Sequence, residues 1–188
     1  MLSGCSRETK EPKPRLEGAP HGPSPEAAPA DSRPTSAAPS GEVAWDVPAT
    51  WKQMPPRPMR KATYEAPASA GAAEIAVFYF GPDQGGGVEQ NIERWIGQFP
   101  GLPEGAAERS EGEINGMKRV NVSVKNGTYS SGMPGAPAVP KENFAMSASI
   151  VQTPSGHYYF KMTGPSASVA EQNANFEKLL ESVRFEKK

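Results

Sequence analysis

The chain has 188 residues, of which 36% are hydrophobic and 22% charged, and its 20 lysines and arginines nearly balance its 21 aspartates and glutamates. A net charge of −1 creates no long-range field for nucleic acid or an anionic membrane surface, and no basic cluster would attract them locally. One cysteine excludes an internal disulfide, and two histidines with that cysteine are too few for a Cys/His zinc site.

The first five residues, Met1-Leu2-Ser3-Gly4-Cys5, match the lipobox of bacterial lipoproteins, in which an aliphatic residue and two small residues precede a cysteine. The resemblance implies cleavage before Cys5 and attachment of a diacylglyceryl group and further acyl chains, such as palmitate, to it. Several acyl chains hold a protein stably on a membrane, whereas one does so only marginally. Ser6, in place of Asp, favours the outer membrane if the cell is Gram-negative.

A lipoprotein signal also contains a basic segment and an apolar segment before the lipobox, and only four residues precede Cys5. We therefore expect the natural start to lie upstream, so that residues 1–5 are the end of a truncated signal. The alternative is a coincidental match, in which case Met1 is the true start and the protein is cytoplasmic.

Residues 6–42 are dominated by Pro, Ala, Ser and Gly, contain no aromatic residue and have Leu16 as their only large aliphatic residue. Such a segment buries too little apolar surface to offset the conformational entropy lost on folding. Its prolines favour extended stretches, while Gly and Ser loosen them. We predict a disordered tether that separates a folded domain from the membrane.

All aromatic residues lie between Trp45 and Phe185, which assigns the hydrophobic core to a domain of residues 43–188. Strands are predicted at residues 43–47 and 59–64 and, most strongly, at residues 74–80, whose dense apolar content indicates a central strand covered on both faces. A glycine-rich connection follows. Apolar residues then recur at helical spacing, which predicts a helix that ends before Pro100: Val88, Ile92, Trp95, Ile96 and Phe99.

Two hairpins and a helix complete the predicted domain. Asn115-Gly116 tolerates the positive φ angles of a tight turn between strands at residues 110–114 and 117–124. In the second of these strands, three valines alternate with Asn121, Ser123 and Lys125, which predicts one buried and one wet face. A second hairpin turns at residues 153–156, and a final amphipathic helix buries Val169, Phe176, Leu179, Leu180 and Val183.

This order favours an α+β fold, in which an antiparallel sheet carries two helices on its faces. It resembles the PsbP-like group, which includes the photosystem subunit PsbP and bacterial proteins related to DcrB. The resemblance lies in the extended start at residues 47–52, the strand-to-helix passage of residues 75–99 and the closing residues 176–185. It implies accessory, assembly or binding roles and no shared catalytic site, so no functional residue is carried over.

The glycine-rich connection is a candidate ligand site, because Gly85, Gly86 and Gly87 follow a strand and precede a helix whose backbone N–H groups could bind an anion. The spacing matches neither a Walker loop nor a dinucleotide fingerprint, and a helix-capping role is the simpler interpretation. His157 has no evident catalytic partner, so we expect an exposed turn residue. The glutamates at 108, 111 and 113 suggest either a solvated strand face or a carboxylate row for a cation.

These observations favour a non-catalytic, lipid-anchored protein of the bacterial cell envelope, a binding or assembly module whose partner is an envelope protein. We expect no catalytic residue, no metal, no cofactor and no nucleic-acid partner. The alternative is a small-ligand or anion-binding protein or a hydrolase that uses residues 81–87 and the loop at 130–142, and that could be cytoplasmic. The identity of the partner and the oligomeric state do not follow from the sequence.

Overall fold

The computed structural model describes residues 42–130 and 139–186. Within these ranges the chain forms the following elements: β1 (Val43–Ala44), β2 (Lys52–Gln53), β3 (Ala62–Ala66), β4 (Ala73–Tyr79), α1 (Val88–Ile96), β5 (Ala107–Ile114), β6 (Met117–Tyr129), β7 (Lys141–Thr153), β8 (Gly156–Pro165), α2 (Ser166–Glu181) and β9 (Arg184–Phe185). The predicted lipobox and almost all of the predicted tether lie outside the described residues.

Seven strands form one antiparallel sheet in the order β2-β3-β4-β8-β7-β6-β5, and β1 pairs with β9 in a separate two-stranded sheet. The two helices pack on this large sheet, so the predicted α+β class is confirmed. The central position of β4 is also confirmed, since it lies between β3 and β8 and buries Ile75, Ala76 and Val77.

Both predicted hairpins are present. The Asn115-Gly116 turn has the positive φ angles that its sequence predicts, 47° and 80°, and joins β5 to β6 from the pair Ile114–Met117 to the pair Ala107–Val124. The second turn joins β7 to β8, where Gly156 has a φ of 118°. These turns set the register of β5 with β6 and of β7 with β8, and the register decides which side chains share a face.

Helix α2 packs on one face of the sheet. Its buried residues include Phe176, Leu179 and Leu180, and the core on this side also contains Phe160 and Met162 of β8. The predicted apolar stripe is confirmed, although Val183, which is fully buried, lies just beyond the end of the helix. Polar contacts fix the buried side of α2, because Gln172 accepts a 2.9 Å hydrogen bond from Trp51 Nε1.

Helix α1 packs on the opposite face. Its buried Ile92 and Trp95, together with Phe99 beyond its end, belong to a second core cluster that includes three valines of β6: Val120, Val122 and Val124. The valine alternation therefore faces α1, as a strand period of two requires. Within the described residues, no helix has the length and apolar character needed to cross a bilayer.

Two predicted strand positions are wrong in their extent. The strand predicted at residues 59–64 begins only at Ala62, because Met59 has a φ of 64°, which lies outside the β region. The strand predicted at residues 43–47 contains only two residues, which pair with the end of the chain, and β2 was not predicted. Such short strands depend on distant partners rather than on local pattern.

Candidate functional site

A polar groove lies between α2 and the part of the sheet formed by β5, β6 and β7. It consists of two adjoining cavities of about 470 Å³ and 530 Å³. Four residues line both cavities, which makes them one continuous groove: Glu108, Ser123, Ser147 and Asn173. From Ser166 to Glu177, α2 forms one wall over about 16 Å of helix.

The groove exists because strand alternation places polar residues on this face. In β6 the valines face α1, so Arg119, Asn121, Ser123 and Lys125 face the other way. Helix α2 contacts β7 and β8 most extensively and leaves β5 exposed except at its last residue, Ile114. The wet face predicted for β6 is therefore real, and α2 turns it into the floor of a groove.

Two ion pairs bring the charged residues of the groove together. Arg119 Nη1 lies 3.0 Å from Glu177 Oε2, which links the floor to α2. Lys125 Nζ lies 2.6 Å from Glu108 Oε1, which links β6 to β5. The second pair is exposed and contributes little to stability. Because each carboxylate accepts a hydrogen bond from a cationic side chain, the groove has no excess of positive or negative charge.

Two polar atoms beneath this surface have no hydrogen-bond partner among the described residues. They are Asn121 Oδ1 and Ser149 Oγ, which lie on directly opposed residues of β6 and β7. Asn121 Nδ2 donates to Ser110 Oγ at 3.2 Å, so only half of its amide is satisfied. A buried unpaired polar atom costs about 1–3 kcal/mol. Oδ1 is covered by its neighbours, so a ligand donor in the groove would reach it after a rotation of the Asn121 side chain and would then offset part of this cost.

The predicted ligand residues Gly85, Gly86 and Gly87 lie in the connection from β4 to α1, on the other side of the sheet from the groove. Asn91 Nδ2 donates to the carbonyl oxygens of Gly85 and Gly87 at 2.9 Å and 2.8 Å. Tyr159 Oη donates to that of Gly86 at 3.1 Å. These contacts give the glycines a structural role, and their role in anion binding stays a prediction.

A steric reason accounts for glycine at position 85. Its φ is 88°, and a Cβ atom there would lie 2.5 Å from Cδ2 of Phe80. The backbone at Gly85 therefore lies too close to the Phe80 ring for any residue with a side chain, and only glycine fits there.

One further sequence prediction is corrected. His157 is not an exposed turn residue: it is the second residue of β8, is half-buried, and its Nδ1 has no hydrogen-bond partner among the described residues. For the glutamates at 108, 111 and 113 the solvated strand is confirmed and the carboxylate row is not, because all three are exposed but Glu108 faces the groove whereas Glu111 and Glu113 lie on the α1 face. Glu111 instead pairs with Arg109 at 3.0 Å.

Lys161 is a buried charged residue that sequence reasoning missed. It lies in β8, is 7% exposed, contacts Gln98 Oε1 through Nζ, and stacks its ammonium over the Tyr129 ring at 5.4 Å. Burial, followed by the charges of Arg94 and Arg60, lowers the pKa of Lys161 to about 8. No local signal indicates this burial, because alternation with Tyr158, Phe160 and Met162 predicts that Lys161 lies on a solvated face.

No protein-family model and no curated protein matches the sequence. Among solved structures, LpqN of Mycobacterium tuberculosis, described as involved in cell envelope biogenesis, is similar at 11% identity and a TM-score of 0.47, over 79% of this chain and 87% of that one. Cyanobacterial PsbP from Synechocystis sp. PCC 6803 is similar at 9% identity and a TM-score of 0.46, over 80% and 96%.

A protein from Bacteroides thetaiotaomicron is similar at 11% identity and a TM-score of 0.42, over 78% of this chain but only 46% of its own. At TM-scores below 0.5, these likenesses carry no conclusion about activity or partners.

Proposed function

We propose that this protein is a lipid-anchored module of the bacterial cell envelope that binds a partner in the groove beside α2 and catalyses no reaction. The observation that carries the proposal is the unused hydrogen-bonding capacity of the groove, centred on Asn121 Oδ1. Native proteins leave few buried polar atoms unpaired, so this oxygen, on a residue that lines an open cavity, needs a partner that the described residues do not supply.

The state of the charged residues supports binding rather than catalysis. A carboxylate that acts as a general acid or base must exchange a proton with the substrate. Glu108 and Glu177 are each held in an ion pair instead, with N···O distances of 2.6 Å to Lys125 and 3.0 Å to Arg119. The remaining polar side chains of the floor and wall are hydroxyl and amide groups, which position a ligand through neutral hydrogen bonds: Ser110, Asn121, Ser123, Ser147, Ser166 and Asn173.

The anchor is proposed from the lipobox at residues 2–5 and from the segment that follows it. Lipidation of Cys5 would place the protein on a membrane, and the 37 residues from 6 to 42, when fully extended, would let the domain reach about 120 Å from it. That reach would allow the domain to contact a partner elsewhere in the envelope.

Replacing Cys5 with serine is expected to release the protein from the membrane. The gene, expressed from its own locus in its own host, should yield a protein that enters the detergent phase on phase partitioning and has the added mass of acyl chains. Cys5→Ser should stay in the aqueous phase, because serine provides no thiol for the thioether bond. If the wild-type protein stays aqueous and its intact mass begins at Met1, the anchor is wrong and the protein is cytoplasmic.

Filling the groove is expected to abolish retention by the envelope. The full chain with Cys5→Ser, which has no anchor, should co-sediment with isolated envelopes of its host, and a further Asn173→Trp change should prevent this because the indole would occupy the groove. Lys178→Trp provides the matched control, since Lys178 lies on the opposite flank of α2 and lines a different cavity. Equal retention of the two tryptophan variants would overturn the groove as the binding site.

A further inference from the structure

We propose that the ligand of the groove is an uncharged oligosaccharide that carries acetamido groups. This inference rests on the groove as the binding site, and it names the chemical class of the ligand. Three features of the groove support it: paired charges, a row of neutral hydrogen-bonding groups, and a small apolar corner.

The charge distribution selects an uncharged ligand. Within the groove, Glu108 is paired with Lys125 and Glu177 with Arg119, whereas the guanidinium of Arg109 lies on the α1 face with Glu89 and Glu111. The groove therefore has no net charge that would attract an anionic or a cationic ligand. A neutral ligand leaves all of these ion pairs intact.

The neutral groups are arranged in a row that suits a chain of hydroxyl groups. Asn121 and Ser123 are alternate residues of β6, which places them about 6.6 Å apart on one face. Ser147 lies in the adjacent strand, directly opposite Ser123, and Asn173 faces them from α2. A hydroxyl group both donates and accepts hydrogen bonds, so it matches serine hydroxyls, amides and the unpaired Asn121 Oδ1 alike.

The apolar corner at one end of the groove accommodates a methyl group. Ala145, Val169 and Ala170 line this end, beside Ser147. An acetamido group combines a methyl with an amide N–H and carbonyl, so its methyl would contact the corner while its amide faces Ser147. Hydroxyl groups further along the same oligosaccharide would then reach Asn121.

A peptide fits the same groove less well. Sheets recognise extended peptides through unpaired backbone groups at a strand edge. The floor of the groove is the face of β6, whose backbone is already paired with β5 on one side and β7 on the other. The groove therefore offers side-chain contacts without a backbone ladder, which suits a glycan.

The test is an NMR titration of the full chain with Cys5→Ser against three tetrasaccharides. Chitotetraose is neutral and has an acetamido group on each ring, cellotetraose is neutral with hydroxyls alone, and the deacetylated chitosan tetramer is cationic. We expect chitotetraose to shift the amide signals of Asn121, Ser123 and Asn173, and to bind at least about tenfold more tightly than either of the other two, the effect of about one lost hydrogen bond.

Two variants assign the binding to the groove. Asn121→Ala should weaken chitotetraose binding about tenfold, since it removes the unpaired acceptor. Asn175→Ala, which changes the same residue type on the other flank of α2, should leave the affinity unchanged.

The proposal of an oligosaccharide ligand would be overturned by amide shifts located elsewhere, by equal binding of the three tetrasaccharides, or by the absence of shifts. If envelope retention still depends on Asn173 while chitotetraose causes no shifts, the groove binds a ligand of another class, such as a polar peptide, and only this inference fails. If neither retention by the envelope nor the amide shifts depend on residues of the groove, both the oligosaccharide inference and the proposed function fail.

Discussion

Replacing Gly156 with alanine is expected to destabilise the domain by about 4 kcal/mol, the sum of a strained backbone and a steric clash. Gly156 opens β8 with a φ of 118°, a conformation that residues with a side chain rarely adopt. A Cβ atom there would lie 2.5 Å from the carbonyl oxygen of Gly81 and 2.9 Å from its carbonyl carbon. Because these are backbone atoms, no side-chain rotation relieves the clash.

Gly105→Ala separates the two contributions. Gly105 also has a positive φ, 78°, but a Cβ atom there would have no heavy atom within 4 Å. Its substitution should therefore cost only about 1 kcal/mol from backbone strain. Urea denaturation, followed through the fluorescence of buried Trp51 and Trp95, measures both variants. Equal destabilisation by the two substitutions would contradict the clash.

The consequence of this clash extends beyond one turn. The turn between β7 and β8 packs against the start of the glycine-rich connection, and Tyr79 Oη donates a 2.6 Å hydrogen bond to the carbonyl oxygen of Ser155. The same contact therefore fixes where the connection to α1 begins. A pattern of residue types predicts a turn at residues 153–156, but not the backbone that lies against it.

Local sequence patterns predict those turns, strands and helices that neighbouring residues determine. Asn115-Gly116 predicts its turn because both residues tolerate positive φ, and the valines of β6 predict a half-buried strand because side chains alternate. The helices follow from apolar residues at helical spacing. Each of these signals lies within a few residues of sequence, so a single chain is enough to interpret it.

The groove could be predicted only in part. The sequence indicates that Asn121, Ser123 and Lys125 share a wet face, yet it does not indicate which helix borders that face. This depends on the strand order β4-β8-β7-β6, in which β8 lies next to β4 although their first residues, Ala73 and Gly156, are 83 positions apart in the chain. Such pairing is set by tertiary packing rather than by local pattern.

The same limit explains why Lys161 was missed. Tyr158, Phe160 and Met162 predict that one face of β8 is buried, and a lysine between them is then expected on a solvated face. In the structure α1 covers that other face as well, so Lys161 is buried with Tyr159. Burial on both faces follows from the position of β8 in the middle of the sheet.

The burial of Lys161 predicts an unusual pH dependence of stability. Its pKa falls from the ordinary 10.5 to about 8 in the folded state. Between these values the unfolded chain holds a proton that the folded protein has lost, so the free energy of unfolding rises with pH. The expected gain between pH 7 and pH 9.5 is about 2 kcal/mol. Above about pH 10 the gain ends, because burial raises the pKa of Tyr158 and Tyr159 and the folded state then holds more protons.

Lys161→Met is expected to remove this pH dependence and to stabilise the protein at pH 7 by about 2 kcal/mol. The methionine fills the same space without a buried charge, whose cost of about 3 kcal/mol exceeds the roughly 1 kcal/mol lost with the contacts to Gln98 and Tyr129. The advantage should vanish near pH 9.5, where wild-type Lys161 is neutral. Lys118→Met, which removes an exposed lysine from β6, should keep the rise with pH. Urea denaturation at pH 7, 8 and 9.5 measures all three proteins, and a rise that persists in Lys161→Met would assign the effect to another group.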